Sequence, residues 1–240
     1  MSIKAVLFDL DGTLLPMDQD IFIKAYFGGL VTALAPHGYD PKELASTIWA
    51  GTSAMVKNDG TKTNEGRFWE VFASVYGARA KLDEPYFDAF YESPEGFDKV
   101  KAVLGYTPKA KEAVELVRAL GLRCVLATNP VFPAVATRKR ISWAGLAPED
   151  FELYTTYENS RFCKPNIAYY EEILEKLNLK GEDCLMVGND VGDDMIAEKL
   201  GMKVFLLSDC LINKTDRSVS DFPNGSFGEL CEYLKKLADG

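Results

Sequence analysis

Histidine is almost missing: 240 residues carry one, His37, set between Pro36 and Gly38 in a loop-like stretch. Metal sites built on several imidazoles are thereby excluded, and serine–histidine catalysis is disfavoured. Cysteines at metal-binding or redox spacing are missing too. Cys124, Cys163, Cys184, Cys210 and Cys231 stand far apart with no C-x-x-C among them. They read as reduced, mostly structural thiols of a cytoplasmic protein. No apolar run approaches the roughly 18 residues of a membrane span. The apolar N-terminus is too short for a signal peptide and has no small-residue cleavage site, so no membrane association is expected. Positive charge is the minority as well: 27 Lys and Arg stand against 36 Asp and Glu, a net charge of −9. The largest basic cluster, Arg138-Lys139-Arg140, reads as a solvated helix face. Without a basic surface nothing drives counterion release, and no nucleic-acid partner is expected.

What is present is ordinary for a soluble globular chain, 47% hydrophobic and 26% charged, and long enough to bury a sizeable core. Five apolar segments rich in β-formers stand out: 3–8, Leu122 to Ala127, Phe151 to Thr155, Asp183 to Val187 and Lys203 to Leu207. Amphipathic stretches lie between the later ones. Ala110, Ala113, Val114, Val117 and Leu120 recur at helical spacing before Gly121, and Ile167, Tyr170, Ile173, Leu174 and Leu177 repeat the pattern. Near-continuous apolar strands alternating with helices predict an α/β fold, a doubly wound, Rossmann-like, mostly parallel sheet covered on both faces. Residues 16–98 differ, with helical patterns near 20–35, 41–57, 64–76 and 84–92, many aromatics and no convincing strand. The simplest topology makes 1–15 plus 99–240 one core domain and 16–98 a helical subdomain inserted after the first strand. Ser208–Gly225 reads as a long connection, and Ser226 with Glu229 as the capping box of a last helix.

In open α/β sheets ligands sit at the carboxyl ends of the strands. The first strand ends at Asp9-Leu10-Asp11, where alternation in an extended chain points both acids the same way. Two like charges held close raise each other's pKa unless a cation lies between them. The strand 122–127 ends at Thr128-Asn129, and 183–187 ends at Gly188-Asn189-Asp190 with Asp193 and Asp194 just beyond. A lone lysine, Lys164 of Phe162-Cys163-Lys164-Pro165, precedes a helix. Carboxylates from two strand ends, with no His or Cys, suit Mg2+. A hydroxyl and an ammonium suit phosphate oxygens. Together they describe phosphoryl transfer, in which one carboxylate attacks phosphorus and a second moves the proton. Each piece alone is more often structural; it is the ordered coincidence at strand ends that carries weight.

Asp9-Leu10-Asp11-Gly12-Thr13-Leu14, Thr128, Lys164-Pro165 and the acidic run Gly188 to Asp194 resemble, in order, the four motifs of the haloacid dehalogenase-like superfamily. The insertion after the first motif resembles members with an α-helical cap. The resemblance implies Asp9 as nucleophile and Asp11 as general acid/base. It implies Mg2+ held by Asp9, the Asp11 backbone carbonyl and Asp190, with Asp194 binding through water or orienting the ligands. Thr128, Asn129 and Lys164 would hold the phosphoryl group. Asn189 departs from the family pattern, which puts its first Asp straight after Gly; whether Asn189, Asp193 or Asp194 completes the metal site beside Asp190 stays open.

The expected activity is hydrolysis of a small phosphorylated metabolite through an aspartyl-phosphate. A phosphomutase uses the same core and stays open. Metal-independent 2-haloacid dehalogenation is disfavoured, since Asp11 and the acidic cluster would then lack a role. A receiver-like signalling or binding domain is disfavoured because 122–128 carries no Asp. Within the insertion, Trp49 to Thr52 and Met55 to Glu65 read as the lid, with Gly51 and Gly60 supplying turns, and Trp49, Met55, Phe68 and Trp69 as its packing. Monomer and homodimer both stay open.

Overall fold

The first of the apolar segments forms the centre of the sheet. In the computed structural model, which describes residues 3–239, β1 (Ala5–Phe8) is flanked by β2 (Arg123–Leu126) on one side and β4 (Cys184–Gly188) on the other. The sheet continues through β3 (Leu153–Tyr154) at one edge and β5 (Lys203–Leu207) and β6 (Asn224–Gly225) at the other. All six strands are parallel, in the order β3-β2-β1-β4-β5-β6. The chain leaves β1 towards β2 and later returns to the other side as β4, so the switch point falls beside β1, where an open sheet leaves a crevice at its carboxyl end.

Side-chain alternation along β1 separates two hydrophobic clusters, one on each face. Val6 and Phe8 join Val114 and Val117 of α6 (Pro108–Ala119), Ile141 of α7 (Ala134–Trp143) and Leu230 of α9 (Phe227–Asp239). Ala5 and Leu7 join Met186 and the Tyr169, Tyr170 and Ile173 face of α8 (Ile167–Leu177). Proline at the start of α6 and the Thr107 cap explain where that helix begins, and Asn166 caps α8 by accepting from the Ala168 N–H. Two elements correct the sequence reading. Helix α7 carries the basic trio that reads as a helix face, but its thin apolar stripe concealed its extent and which side is buried. The segment 208–225 is not purely a connection: its end pairs with β5 as the two-residue strand β6.

Between β1 and α6 the chain forms five α-helices: α1 (Gln19–Leu34), α2 (Pro41–Val56), α3 (Asn64–Tyr76), α4 (Arg79–Leu82) and α5 (Glu84–Glu92). Their aromatic rings pack edge-to-face, as Phe72 does on Phe87 at 5.2 Å, and the cluster is continuous with the Val6–Phe8 side of the sheet. Met55 is buried as its pattern suggests, whereas Trp49 is about half exposed and stacks on Phe27. Gly51 makes no turn. It lies inside α2, where a Cβ would meet the Phe68 ring at 2.6 Å, so it lets α2 and α3 approach closely. The insertion is fastened to the core through fully buried Asn64, whose backbone N–H donates to the Ser160 carbonyl and whose amide donates to the Pro130 carbonyl. Among the described residues no helix is long and apolar enough to cross a membrane.

Candidate active site

Asp9, the first residue past β1, is buried and its two oxygens are used differently: Oδ1 accepts from Lys164 Nζ at 2.8 Å and Oδ2 from the Thr13 hydroxyl at 2.9 Å. Lys164 itself is 2% exposed and also donates to Asp194 Oδ1 at 2.6 Å. Burial alone would lower the Lys164 ammonium, but the Asp194 and Asp9 carboxylates override it and hold its pKa well above the usual value. Asp194 is pushed up by burial, against the pull of Lys164. Its second oxygen accepts the Asp190 N–H at 3.0 Å, so this acid anchors both the lysine and the loop that follows β4.

The close fold-back of Asp194 depends on the residue that ends β4. A Cβ on Gly188 would stand 2.1 Å from Asp194 Oδ2. Gly188→Ala is therefore expected to expel Asp194, costing about 1–3 kcal/mol as an overpacked core does. A thermal melt of the variant checks this; an unchanged midpoint would show that the loop gives way freely.

Asn189 and Asp190 part company. The Asn189 side chain donates to the Cys210 carbonyl at 2.6 Å and pairs with the Thr13 hydroxyl at 2.9 Å, so its polar atoms serve the loop framework. Asp190 uses only Oδ1 internally, accepting the Gly192 and Asp193 N–H groups, and keeps Oδ2 free. Asp193 lines the same pocket, its pKa raised to about 6 by burial and by the neighbouring Asp190 charge, against Lys164.

The loop after β2 adds groups of another kind. Thr155 Oγ1 and Tyr169 OH both donate to the Thr128 carbonyl, at 2.6 and 2.8 Å, fixing that peptide. The Thr128 hydroxyl and the Asn129 side-chain oxygen are nevertheless buried without partners, as is Asp11 Oδ1. Buried polar atoms are nearly always satisfied, so three orphans lining one pocket mark where a ligand belongs. That pocket, about 120 Å³, gathers Asp9, Asp11, Thr128, Asn129, Lys164, Asp190 and Asp194, together with Gln19, Asn189 and Asp193. All seven residues expected from the sequence thus meet in one place.

The relation between Asp9 and Asp11 needs correcting. The strand stops at Phe8, and the chain folds into a tight loop in which Thr13 and Leu15 N–H groups both return to the Leu10 carbonyl. Strict alternation therefore fails past Asp9. Asp9 takes its cation from the α8 side of the sheet, while Asp11 Oδ2 is bound by Arg140 of α7, on the other side. Arg140 corrects the sequence reading a second time. It is fully buried rather than part of a solvated face; of its trio only Arg138 is exposed, Lys139 being partly covered and paired with Asp98. Burial raises the Asp11 pKa, with Arg140 opposing it and Asp9 adding to it. Gln19 and Arg140 are functional candidates that no motif announced.

A hard cation fits the donor chemistry of this pocket. Among the described residues no three acidic, histidine or cysteine side chains converge into a closed ligand set. Mg2+ needs none, since it commonly binds one or two carboxylates and keeps several waters. The free Asp190 Oδ2, Asp9 and the Asp11 carbonyl are the oxygens on hand.

A doubly wound sheet whose switch-point strand ends in a lysine-paired carboxylate, facing a hydroxyl loop and an acidic loop, defines an α/β enzyme. A family model for haloacid dehalogenase-like hydrolases matches residues 3–201, and the chain belongs to that family. It is 26% identical over 240 residues to the glyceraldehyde 3-phosphate phosphatase of Methanocaldococcus jannaschii, covering 98% of each chain. It is 24% identical over 213 residues to the pyrophosphatase PpaX of Bacillus thuringiensis, covering 87% of this chain and 84% of that one. Among solved structures it superposes on a HAD phosphatase from Thermococcus onnurineus with a TM-score of 0.58 at 19% identity, over 97% and 98% of the two chains. The 2-haloacid dehalogenase of Pseudomonas syringae gives 0.63 at 20% identity, over 98% and 99%. At such identities the structures establish the fold, and the site must speak for the chemistry.

Proposed function

We propose that the chain is a Mg2+-dependent phosphatase that hydrolyses a small phosphomonoester through a phosphoryl group carried on Asp9. The observation that carries this reading is the convergence of Asp9, its Lys164 partner and the unpartnered Thr128, Asn129 and Asp11 oxygens on one pocket. A dehalogenase needs no proton donor, so it leaves Asp11 without a task; a phosphatase uses it twice. Phosphatase-named relatives across nearly the whole chain support the same choice.

In the first step an Asp9 carboxylate oxygen attacks phosphorus in line, the bond from phosphorus to the leaving oxygen breaks, and Asp11 gives that oxygen its proton. Lys164, Thr128 and the Asn129 side chain hold the phosphoryl oxygens as the group passes. In the second step Asp11, now a carboxylate, takes a proton from water, whose oxygen attacks phosphorus and releases Asp9 and inorganic phosphate. Asp9, the Asp11 carbonyl and Asp190, with Asp194 behind them, would hold Mg2+, which would supply neutralising positive charge there. The helical insertion serves as a cap over this centre.

The cap also bears on the alcohol half of the substrate. Tyr26, Phe27, Phe68 and Trp69 of the insertion, with Val131 and Phe132 of the loop after Asn129, enclose an aromatic cavity of about 120 Å³. A phosphorylated metabolite with an apolar portion fits there, and free thiols at all five cysteines suit a reducing, cytoplasmic setting. The test is phosphate release from a panel of esters with Mg2+ and with a chelator. Release that stops on chelation is expected, with KM about tenfold lower for an aryl than for a glyceryl ester, the return on burying a ring. No phosphate from any ester would refute the reading, and rearrangement without release would point to a mutase.

A further inference from the structure

A guanidinium with no exposed surface is unusual enough to need a reason. Arg, unlike Lys, stays charged under any physiological condition, and burying it is unfavourable unless its donors are placed with care. Arg140 projects from α7, whose Ala136 and Ile141 belong to the Val6–Phe8 cluster, and reaches the Asp11 carboxylate that lines the pocket. Nη1 donates to Asp11 Oδ2, Nη2 donates to the Thr137 hydroxyl at 3.3 Å, and the group lies 4.5 Å over the Phe132 ring. Nε has no partner. Replacing such a pair with apolar side chains often leaves stability unchanged, so fold stability alone does not account for it.

The other end of the contact is informative. Asp11 has one oxygen held by Arg140 and one, Oδ1, buried and unpartnered. A free aspartate at a loop can turn about two side-chain bonds and present either oxygen anywhere on an arc. Clamping Oδ2 to a group that is itself stacked on Phe132 and tied to Thr137 removes that freedom. The loop helps little: Thr13, Leu15 and Gly12 N–H groups all bond within it and none reaches the Asp11 carboxylate.

We infer that Arg140 is a positioning residue for Asp11, holding Oδ2 so that Oδ1 alone faces the oxygen of the leaving alcohol. The inference rests on the phosphatase reading and adds to it a residue that lies outside the family's four motifs. Arg140 touches no reacting atom. Its contribution is orientation, which is where misplacement by a fraction of an ångström becomes expensive in rate.

The distinguishing property is the leaving group. An alkyl alcohol must be protonated as it departs, whereas p-nitrophenolate leaves without help. A fault in proton delivery therefore slows the first step on the alkyl ester and not on the aryl one, while the second step, in which Asp11 takes a proton from water, is common to both. Arg140→Met is expected to lower kcat/KM, which reports the steps up to departure of the alcohol, about 100-fold on an alkyl phosphate and less than about fivefold on p-nitrophenyl phosphate. Arg140→Lys, which keeps the charge, is expected to recover about tenfold of the alkyl loss. Adding Asp11→Asn to Arg140→Met should cost far less in kcat/KM on the alkyl ester than it does in the wild-type background, since both changes act on one proton delivery. Equal losses on the two esters, or additive losses in the double variant, would overturn the inference and leave Arg140 a packing residue. Should Arg140→Met fail to fold, the alkyl-to-aryl ratio of Arg140→Lys decides the matter by the same criterion. A wild-type protein inactive on both esters with Mg2+ would instead refute the phosphatase reading itself.

Discussion

Asp9→Asn is expected to lower phosphate release by at least about 10⁴-fold, the scale of losing a covalent nucleophile, while the protein stays folded. The second half of that statement makes the first interpretable. An amide can keep the present contacts: its oxygen can face Lys164, and its NH2 can face the Thr13 hydroxyl, which then donates to Asn189 Oδ1 at the 2.9 Å separation already present. Lys164 keeps Asp194 as its counter-charge. The lost activity would therefore report chemistry, not collapse. Rapid quenching of the wild-type protein during turnover should capture phosphate on the peptide carrying Asp9, and the variant should give none. Retained turnover in Asp9→Asn would sink the nucleophile assignment.

The sequence carried most of this site because strand-end motifs are local. Asp9, Thr128, Lys164 and Asp190 each follow or precede an apolar segment whose periodicity is visible in isolation, and the sheet then brings the ends together. Apolar runs buried on both faces gave away β1, β2, β4 and β5, and the aromatic helices between 19 and 92 showed where no strand could lie. What stayed hidden was tertiary. Arg140 looks like surface charge beside Arg138 and Lys139, since one residue along a helix separates core from solvent and α7 has little apolar contrast to show which side is which. Strand β6 is two residues of Asn-Gly, the poorest of strand formers, paired only because β5 offers an open edge. The side-by-side placement of Asp9 and Asp11 was inferred from strand alternation, and it failed at the residue where the strand ended. Both acids still line one pocket, by a loop rather than by pleating.

Lys164→Met carries the second large expectation, and it separates electrostatics from catalysis. Lys164 is the cation shared by two buried carboxylates, at 2.8 Å from Asp9 and 2.6 Å from Asp194. Removing one partner of a buried pair leaves uncompensated charge and costs about 3–5 kcal/mol, or roughly 10 °C in the melting midpoint of a chain this size. The loss should depend on pH with a definite sign. Burial already lifts Asp194 to about 7, above its ordinary 3.8, with Lys164 pulling the other way. A carboxyl raised in the folded state binds protons more readily there than in the unfolded chain, so its contribution falls as pH rises from 3.8 through the folded value. Without Lys164 the folded value climbs further. The gap between wild type and variant should therefore be widest near pH 8 and close substantially near pH 5.5, as protonation relieves the buried charge. Activity should not follow, because the missing ammonium also holds the phosphoryl group, a loss of about 10²–10³-fold in kcat at any pH. Melting curves at the two pH values, run beside kcat, test both halves at once. A gap that stays constant between them would mean that Asp9 and Asp194 find water or one another when the lysine is gone, and that the buried triad is not what holds this end of the sheet together.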